Sequence, residues 1–424
     1  MTLRNREILI SGGGIAGPAL AYWLHRFGFT PTIVERAPEI RTGGQRIEMS
    51  GIGLEAFDYL GITQQVRAAG GPAPSVKLYT GPGNRPTDIT FLQSDPTAGS
   101  GPAAPGDEVA IKRGPLSGIL YQQVKGEVEY IFDDSIEAVR QSADGVDVTF
   151  ENAAPRRFDL VIGADGLHSN VRSLVFGDSG RFAHFLGTNL VIFTVDNYLG
   201  LRDSGLWHVW PYRGCAITTF PGNTELEGMF LIRSTRPLDV RSLSREERMR
   251  FVDRIFREDG WEVPGLLRAM RDSRDFHFSP STQIRMDSLC RGRVALVGDA
   301  GYCPDPMAGY GSSLGLAGAH ILAGELREAD GDHTAAFGAY EEKMRGIVPG
   351  GQEIANFSTS FFAPRSGRAG VWVREQAIRS MEAYSRISAR LGLRRGQWDP
   401  VEGHTLPDYE SPAYHGRPAR GEGE

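Results

Sequence analysis

The strongest constraint on this chain is a glycine-rich turn set between a strand and a helix close to the N-terminus. Glu7-Ile8-Leu9-Ile10-Ser11 is a short β-forming run, and it enters Gly12-Gly13-Gly14-Ile15-Ala16-Gly17, which matches GxGxxG at Gly12, Gly14 and Gly17. Ala16, Leu20, Trp23, Leu24 and Phe27 then recur at helical spacing, Gly28 supplies a C-terminal stop, and Thr32-Ile33-Val34-Glu35 reads as the next parallel strand. This order suits a pyrophosphate held at a helix N-terminus: the amides point at the anion, and glycine keeps side chains out of the way. Glu35 lies about twenty residues beyond Gly14, where a carboxylate can accept from ribose hydroxyls, and Arg36 can flank the adenine or the phosphates. A glycine turn without a ligand is the plain alternative. Strand, glycines, helix, strand and acid together predict dinucleotide binding through Gly12, Gly14, Ile15, Ala16, Gly17, Glu35 and Arg36, but the motif does not separate FAD from NAD.

At 424 residues with 40% hydrophobic content, the chain is long enough for two packed units sharing one site. The net charge of -6 and the lack of a Lys/Arg block argue against nucleic acid or an anionic membrane as partner, and leave a small molecule. Cys215, Cys290 and Cys303 lie far apart without metal-ligand spacing, so neither a disulfide framework nor a metal site is expected. The glycines that interrupt the N-terminal apolar stretch make it unlike a signal peptide or membrane span, and a cytoplasmic location is expected. Oligomeric state is left open.

Two further motifs narrow the cofactor. Asp159-Leu160-Val161-Ile162-Gly163-Ala164-Asp165-Gly166 is an apolar strand running into an Asp-Gly turn, followed by Ser169, Val171 and Arg172. Arg293-Val294-Ala295-Leu296-Val297-Gly298-Asp299-Ala300 is another, ending in Gly-Asp, and leads through Pro304-Asp305-Pro306-Met307-Ala308-Gly309-Tyr310-Gly311 into a helix predicted over Ser312 to Leu326. In this order and spacing the three motifs resemble the para-hydroxybenzoate hydroxylase-like class A flavoprotein monooxygenases, with the tetracycline-inactivating monooxygenases a similar branch. The resemblance spans residues 8 to about 320. It implies that GxGxxG binds the ADP half of FAD, that the segment at Asp165 touches FAD and a passing nicotinamide cofactor, and that Asp299, after Gly298, bonds the ribityl chain. Arg113, in Ala110-Ile111-Lys112-Arg113, matches an FAD-contacting arginine of similar proteins, although an arginine at a helix start can also be a surface residue. Arg46 lies where the family runs beside the flavin.

A physical reading accompanies the third motif. Gly309 and Gly311, after Pro306, let the backbone approach the flavin ring, and the amides of Gly311, Ser312 and Ser313 aim the positive end of a helix at it. An ordinary Pro/Gly loop entering a helix is the alternative. Two departures stand out. Many relatives have Ala-His where this chain has Gly301-Tyr302, and an arginine often found after the Gly43-Gly44 pair is replaced near Met49-Ser50.

Between the second and third motifs, residues 190–195, 206–210, 215–220 and 229–232 read as strands of an antiparallel sheet that interrupts the FAD domain, and residues 76 to 92 can add two more. The stretch 94 to 106 reads as a surface loop. Such a sheet can floor an apolar pocket, with Trp207, Trp210 and Phe220 as wall candidates, although aromatic residues in strands are usually plain core. His208 and Tyr302 could serve as bases, but a lone histidine or tyrosine is more often structural, so no catalytic residue is assigned. After residue 346 the chain reads as helical through Ala389, with a frayed tail from Ser411 to Glu424.

The expected fold is therefore α/β: a Rossmann-like FAD domain (1–75, 107–180 and 286–345), an interleaved antiparallel β-sheet substrate domain (76–106 and 181–285), and a C-terminal helical segment and tail (346–424). No second GxGxxG follows a strand, so the reductant, NADPH or NADH, is expected to visit and leave. The resemblance implies that oxygen adds to flavin C4a and that the hydroperoxide passes one oxygen atom to an aromatic or polycyclic substrate. The rivals are a halogenase or reductase of the same fold, or a flavin-binding protein without turnover. Trp207-His208-Val209-Trp210-Pro211 fails the halogenase Trp-x-Trp-x-Ile-Pro pattern.

Overall fold

The computed structural model describes residues 3–80, 86–89, 108–240, 242–273, 275–390 and 404–410. The expected loop at 94–106 and the tail from Ser411 lie outside them.

Ile8, Leu9 and Ile10 have no exposed surface, as a continuous apolar run in a parallel sheet covered on both faces must. They belong to β1 (Glu7–Ser11), inside a six-stranded sheet. Its spatial order is Cys290–Arg291, Val294–Leu296, Leu160–Gly163, β1, β2 (Thr30–Glu35) and Glu129–Phe132, parallel throughout except at Cys290–Arg291. Helix α1 (Ala16–Arg26) turns Ala19, Leu20, Trp23 and Leu24 inward. The helix Gly311–Glu328 is buried from Ser313 to Leu326, the all-round burial expected of a central helix. From β1 the chain winds outward through β2 to Glu129–Phe132, then returns to lay Leu160–Gly163 on the other side of β1, with Ser11 opposite Gly163. The carboxyl ends of these two strands form a topological switch point, where open α/β sheets bind ligands.

The second sheet has seven strands, in the order His277–Ile284, Ala183–Asp196, Glu225–Arg233, Arg213–Thr219, Ser204–Trp210, Ser75–Thr80 and Thr87–Asp88. It departs from the expected all-antiparallel pattern at one seam: Ser204–Trp210 pairs parallel with Ser75–Thr80, which arrives from another part of the chain rather than through a hairpin. One face packs on the helices Arg245–Phe256 and Val263–Asp272, the first started by a Ser244/Glu247 capping box. The other face meets the long helix His333–Phe362, followed by Arg368–Arg390.

A small flap joins the two sheets. Its strands β3 (Arg46–Met49), Val109–Lys112 and Gly71–Pro72 pair antiparallel. The amide of Arg46 donates to Glu227 Oε2 (3.0 Å), and Lys112 pairs with Glu225, both at the start of the strand Glu225–Arg233 in the seven-stranded sheet.

Candidate functional site

At the switch point the backbone leaves no room for side chains. Gly12 has φ +112°, and a Cβ there would stand 2.5 Å from the carbonyl oxygen of Ala164. A Cβ on Gly17 would overlap the carbonyl oxygen of Gly12. Glycine is obligatory at Gly12 because the first motif touches the Asp-Gly segment backbone to backbone, and at Gly17 because the start of α1 packs against the turn's own backbone. Glu35 closes the turn from the side: its carboxylate accepts from Gly13 N (2.7 Å) and Ala37 N (2.9 Å), and Arg41 stands 3.8 Å away. The first turn of α1, entered through Ile15, has neither a side-chain cap nor an acid. Its amides are left for an anion.

Arg113, which starts the helix Arg113–Val124, is the hub of the site. Its guanidinium lies 3.6 Å from the point a Gly14 Cβ would occupy, its stem passes Gly44, and its charge acts on Asp299. The third motif lies beneath it. Gly298 has φ +66°, and a Cβ there would come 3.3 Å from Ala16 Cβ, so strand end and α1 pack closely. Burial pushes the Asp299 carboxyl above its ordinary value, against the opposing pull of Arg113 and of a hydrogen bond with Cys303. Asp299 Oδ1 stands 3.4 Å from where Gly311 would carry a Cβ, at the start of the helix Gly311–Glu328, whose first turn also has no side-chain cap and no acid. Pro306–Ala308 forms one short turn, and Gly309 at φ +70° redirects the chain into that helix. Ser312 follows Gly311 in the first turn, and the buried Ser313 hydroxyl reaches Met49 Sδ (3.8 Å), which fastens the flap to the helix start.

Asp165 has a structural and an unfilled half. Its Oδ2 accepts from Asn170 N (2.8 Å) and Val171 N (3.1 Å), at the start of the helix Asn170–Phe176, while Oδ1 is buried without a partner among the described residues. Among the described residues, an unpartnered buried acceptor, two uncapped helix starts and a glycine cradle beside the Arg113 guanidinium fit a dinucleotide that brings hydroxyls and phosphates.

Other expected residues stand elsewhere. The Arg36 guanidinium turns to Ser135 (3.1 Å) and Glu151 (3.9 Å), away from the glycine turn. Arg46 pairs with Glu48; burial opposes its charge, but Glu48 and Glu227 hold it above the ordinary value, so it serves the seam between flap and sheet. Trp207 packs on Phe362, with ring centroids 3.8 Å apart, on the face toward the long helix, where Leu190, Met229, Leu231 and Met307 also gather. Trp210 departs from the expected wall. It lies on the opposite face, stacked on His208 at 4.0 Å and packed with the cluster under Arg245–Phe256. Phe220 is buried at the seam with Lys112 Nζ 4.4 Å above its ring.

The two residues weighed as bases are structural. His208 is buried, neither ring nitrogen has a hydrogen-bond partner among the described residues, and burial lowers it to about 4. Tyr302 is pushed up to about 12 by burial; its hydroxyl reaches Leu314 O (3.4 Å), and Tyr340 donates to Leu296 O (2.8 Å) beside it. The Gly301-Tyr302 departure thus locks the third motif onto the helix behind it, and Ser50 meets the hydroxyl of Tyr310 (3.4 Å) across the flap. The three cysteines are free thiols, and burial raises the pKa of each.

Two residues were not singled out for the roles they hold. Arg172, with 1% exposure, donates to Ala300 O and Leu167 O (2.7 Å each) and so bolts the second motif to the third. Asp305 adopts φ +91° with 1% exposure and accepts from Ser281 Oγ (2.6 Å), Thr282 N (2.7 Å) and Met307 N (2.9 Å). It ties the Pro306–Gly309 turn to the seven-stranded sheet, and burial raises it to about 6. An acid set between Pro304 and Pro306 was the available signal.

Comparison with known proteins agrees with this geometry. The FAD binding domain family matches residues 5–334. An uncharacterised protein of Mycobacterium tuberculosis is 39% identical over 359 residues, covering 85% of this chain and 95% of its own. A flavin-dependent monooxygenase of Legionella longbeachae is 35% identical over 419 residues, covering 96% and 99%. The crystal structure of tetracycline destructase Tet(51) aligns with a TM-score of 0.72 and 32% identity over 89% of this chain and 97% of that one. Among the described residues no helix is long and apolar enough to cross a membrane. A glycine cradle at the switch point, an acid facing the uncapped start of a central helix, and these relatives lead to one conclusion: the chain belongs to the FAD binding domain family and is an FAD-dependent monooxygenase.

Proposed function

We propose that the chain accepts electrons from NADPH or NADH and inserts one oxygen atom from O2 into an aromatic or polycyclic small molecule. The observation that carries this reading is the apolar wall of Leu190, Leu231, Met307 and Ala363, joined by Trp207, Met229 and Phe362. Met307 belongs to the turn that the third motif leads into, which supports setting the wall beside the cofactor. The similarity to a tetracycline destructase supports a polycyclic occupant.

In this reading Gly12, Gly14 and Gly17 with the first amides of α1 hold the pyrophosphate, Arg113 neutralises it, and Glu35 and Asp299 anchor the ribose and ribityl hydroxyls. When bound, the flavin supplies electron transfer and oxygen activation. The amides of Gly311, Ser312 and Ser313 present an N-terminal dipole to negative charge at the ring edge, and the apolar wall orients the substrate while excluding water. No side-chain nucleophile is required, which agrees with the structural roles of His208 and Tyr302. The test is rapid-mixing reduction by NADPH and NADH under anaerobic conditions, then turnover in isotopically labelled dioxygen with an aromatic panel. One labelled oxygen in the product is expected; flavin reduction followed only by peroxide release, with every compound, overturns the reading.

A further inference from the structure

A cavity of about 460 Å³ opens where the seven-stranded sheet meets the helix His333–Phe362. Its lining includes three guanidinium groups, those of Arg233, Arg285 and Arg365, with His184, Asn356 and Thr359, and no acidic side chain. Each arginine comes from a different place: the end of the strand Glu225–Arg233, the residue after the strand His277–Ile284, and the turn beyond the long helix.

Among the described residues none of the three pairs with a carboxylate. Arg233 donates to Thr188 Oγ1 (3.0 Å) and Thr359 O (3.1 Å), and its Nε is buried without a partner. Arg285 donates twice to the neutral Gln283 Oε1 (3.0 and 2.7 Å). Gly187, at φ +81°, makes room for two of them: the point its Cβ would occupy is 3.1 Å from Arg365 Nη2 and 3.7 Å from Arg233 Cζ. Two like charges therefore share one corner, and burial with the repulsion of Arg365 lowers the Arg233 pKa. Collecting cations without a counter-charge is unfavourable unless an anion completes the set.

The cavity lies one strand position beyond the proposed substrate wall. Along the strand Glu225–Arg233, the residues Met229, Leu231 and Arg233 alternate onto one face, about 7 Å apart. Leu231 packs with Met307, and Arg233 is the next residue on that face.

We propose that this cavity is an oxyanion subsite of the substrate site: it binds a carboxylate or phosphate group on the same small molecule whose apolar ring lies toward the Met229, Leu231 and Met307 side of the strand. The inference rests on the apolar-substrate reading above and adds a charge requirement to it. A flat guanidinium fork matches either oxyanion, so the chemistry of the group is shared and its source is tested.

The experiment titrates the FAD-loaded protein with 2-naphthoate, 2-naphthyl phosphate and neutral 2-naphthamide, following perturbation of the flavin spectrum. Either anionic probe is expected to bind about tenfold or more tighter than the amide. Arg365→Gln, at an exposed position, is expected to weaken the anionic probes about tenfold and leave the amide unchanged; Arg233→Gln repeats the test from inside the cavity. The tighter of the two anionic probes distinguishes a carboxylate from a phosphate. Equal affinity for amide and anions, in wild type and variants alike, overturns the subsite while sparing the apolar-substrate reading. If no naphthalene probe perturbs the flavin, both fall. If the variants instead weaken NADPH in anaerobic reduction while 2-naphthoate binding is unchanged, the cluster serves the reductant's phosphates and the proposal is overturned.

Discussion

The glycine cradle and the seven-stranded sheet solve opposite problems with opposite means. In the cradle the working groups are backbone amides, so the sequence must remove side chains: Gly12 and Gly17 each face a carbonyl oxygen that a Cβ would strike. On the sheet the working groups are side chains, and what matters is which face each one takes: Trp207 meets Phe362 on one side, while Trp210 stacks on His208 on the other. A site built from backbone is marked by residue type; a site built from one face of a sheet is marked by position in a packed structure.

The largest effect that would test this contrast is Gly17→Val. Overlap with a backbone atom has no rotamer to relieve it, so a loss of about 3 kcal/mol or more is expected, with protein that is insoluble or free of flavin. Normal flavin absorbance and thermal midpoint in that variant would break the backbone-only account of the cradle.

Two buried titrations come next, and their signs oppose. Asp305 is raised to about 6 from 3.8, so its contribution is full at low pH and lost as pH rises through about 4 to 6. His208 is lowered to about 4 from 6.5, so its contribution is full above about 6.5 and lost as pH falls toward 4. Each shift corresponds to about 3 kcal/mol. Urea unfolding of the wild type should therefore vary little between pH 4 and 6.5 on account of these two groups. Asp305→Asn should leave stability that falls toward acid, and His208→Phe stability that falls toward neutral pH. Identical pH curves for both variants would refute the opposed burial.

Asp299→Ala is expected to weaken FAD binding by about ten- to a hundredfold, through loss of a hydroxyl acceptor and of the negative charge near Arg113. Equilibrium dialysis of the apoprotein reads this, and unchanged affinity would remove Asp299 from the cofactor site. The smallest effect concerns the two tryptophans. Trp207→Ala should raise the substrate KM several-fold, about 1 kcal/mol, with flavin reduction unchanged, whereas Trp210→Ala should lower the thermal midpoint and leave KM alone. Equal KM effects would mean that the wall is not confined to one face.

How far the site could be read follows the same division. The strands at 7–11, 160–163 and 294–296 and the helix after Gly311 were legible because unbroken apolar runs ending in glycine-acid turns have few other uses. The helices Arg245–Phe256 and Val263–Asp272 went unassigned although Ser244 and Glu247 form a capping box. The flap strands are four residues or fewer, too short for a period to show. The guanidinium of Arg36 turns aside because Ser135 and Glu151, from a distant segment, compete for it.

The sequence by itself determined the cofactor end, since a glycine required by φ or by backbone contact announces itself wherever it stands. Trp207, Trp210 and Phe220 were all read as candidates for one wall, but three-residue spacing in a strand puts Trp207 and Trp210 on opposite faces, as the structure shows. Which helix layer each of the two meets was decided only by the tertiary structure, Trp207 packing toward His333–Phe362 and Trp210 toward Arg245–Phe256. The same holds for Asp305, Arg172 and the three arginines of the cavity: their partners come from strands and helices remote in sequence, and a charge has no chemical role until packing has chosen its neighbours.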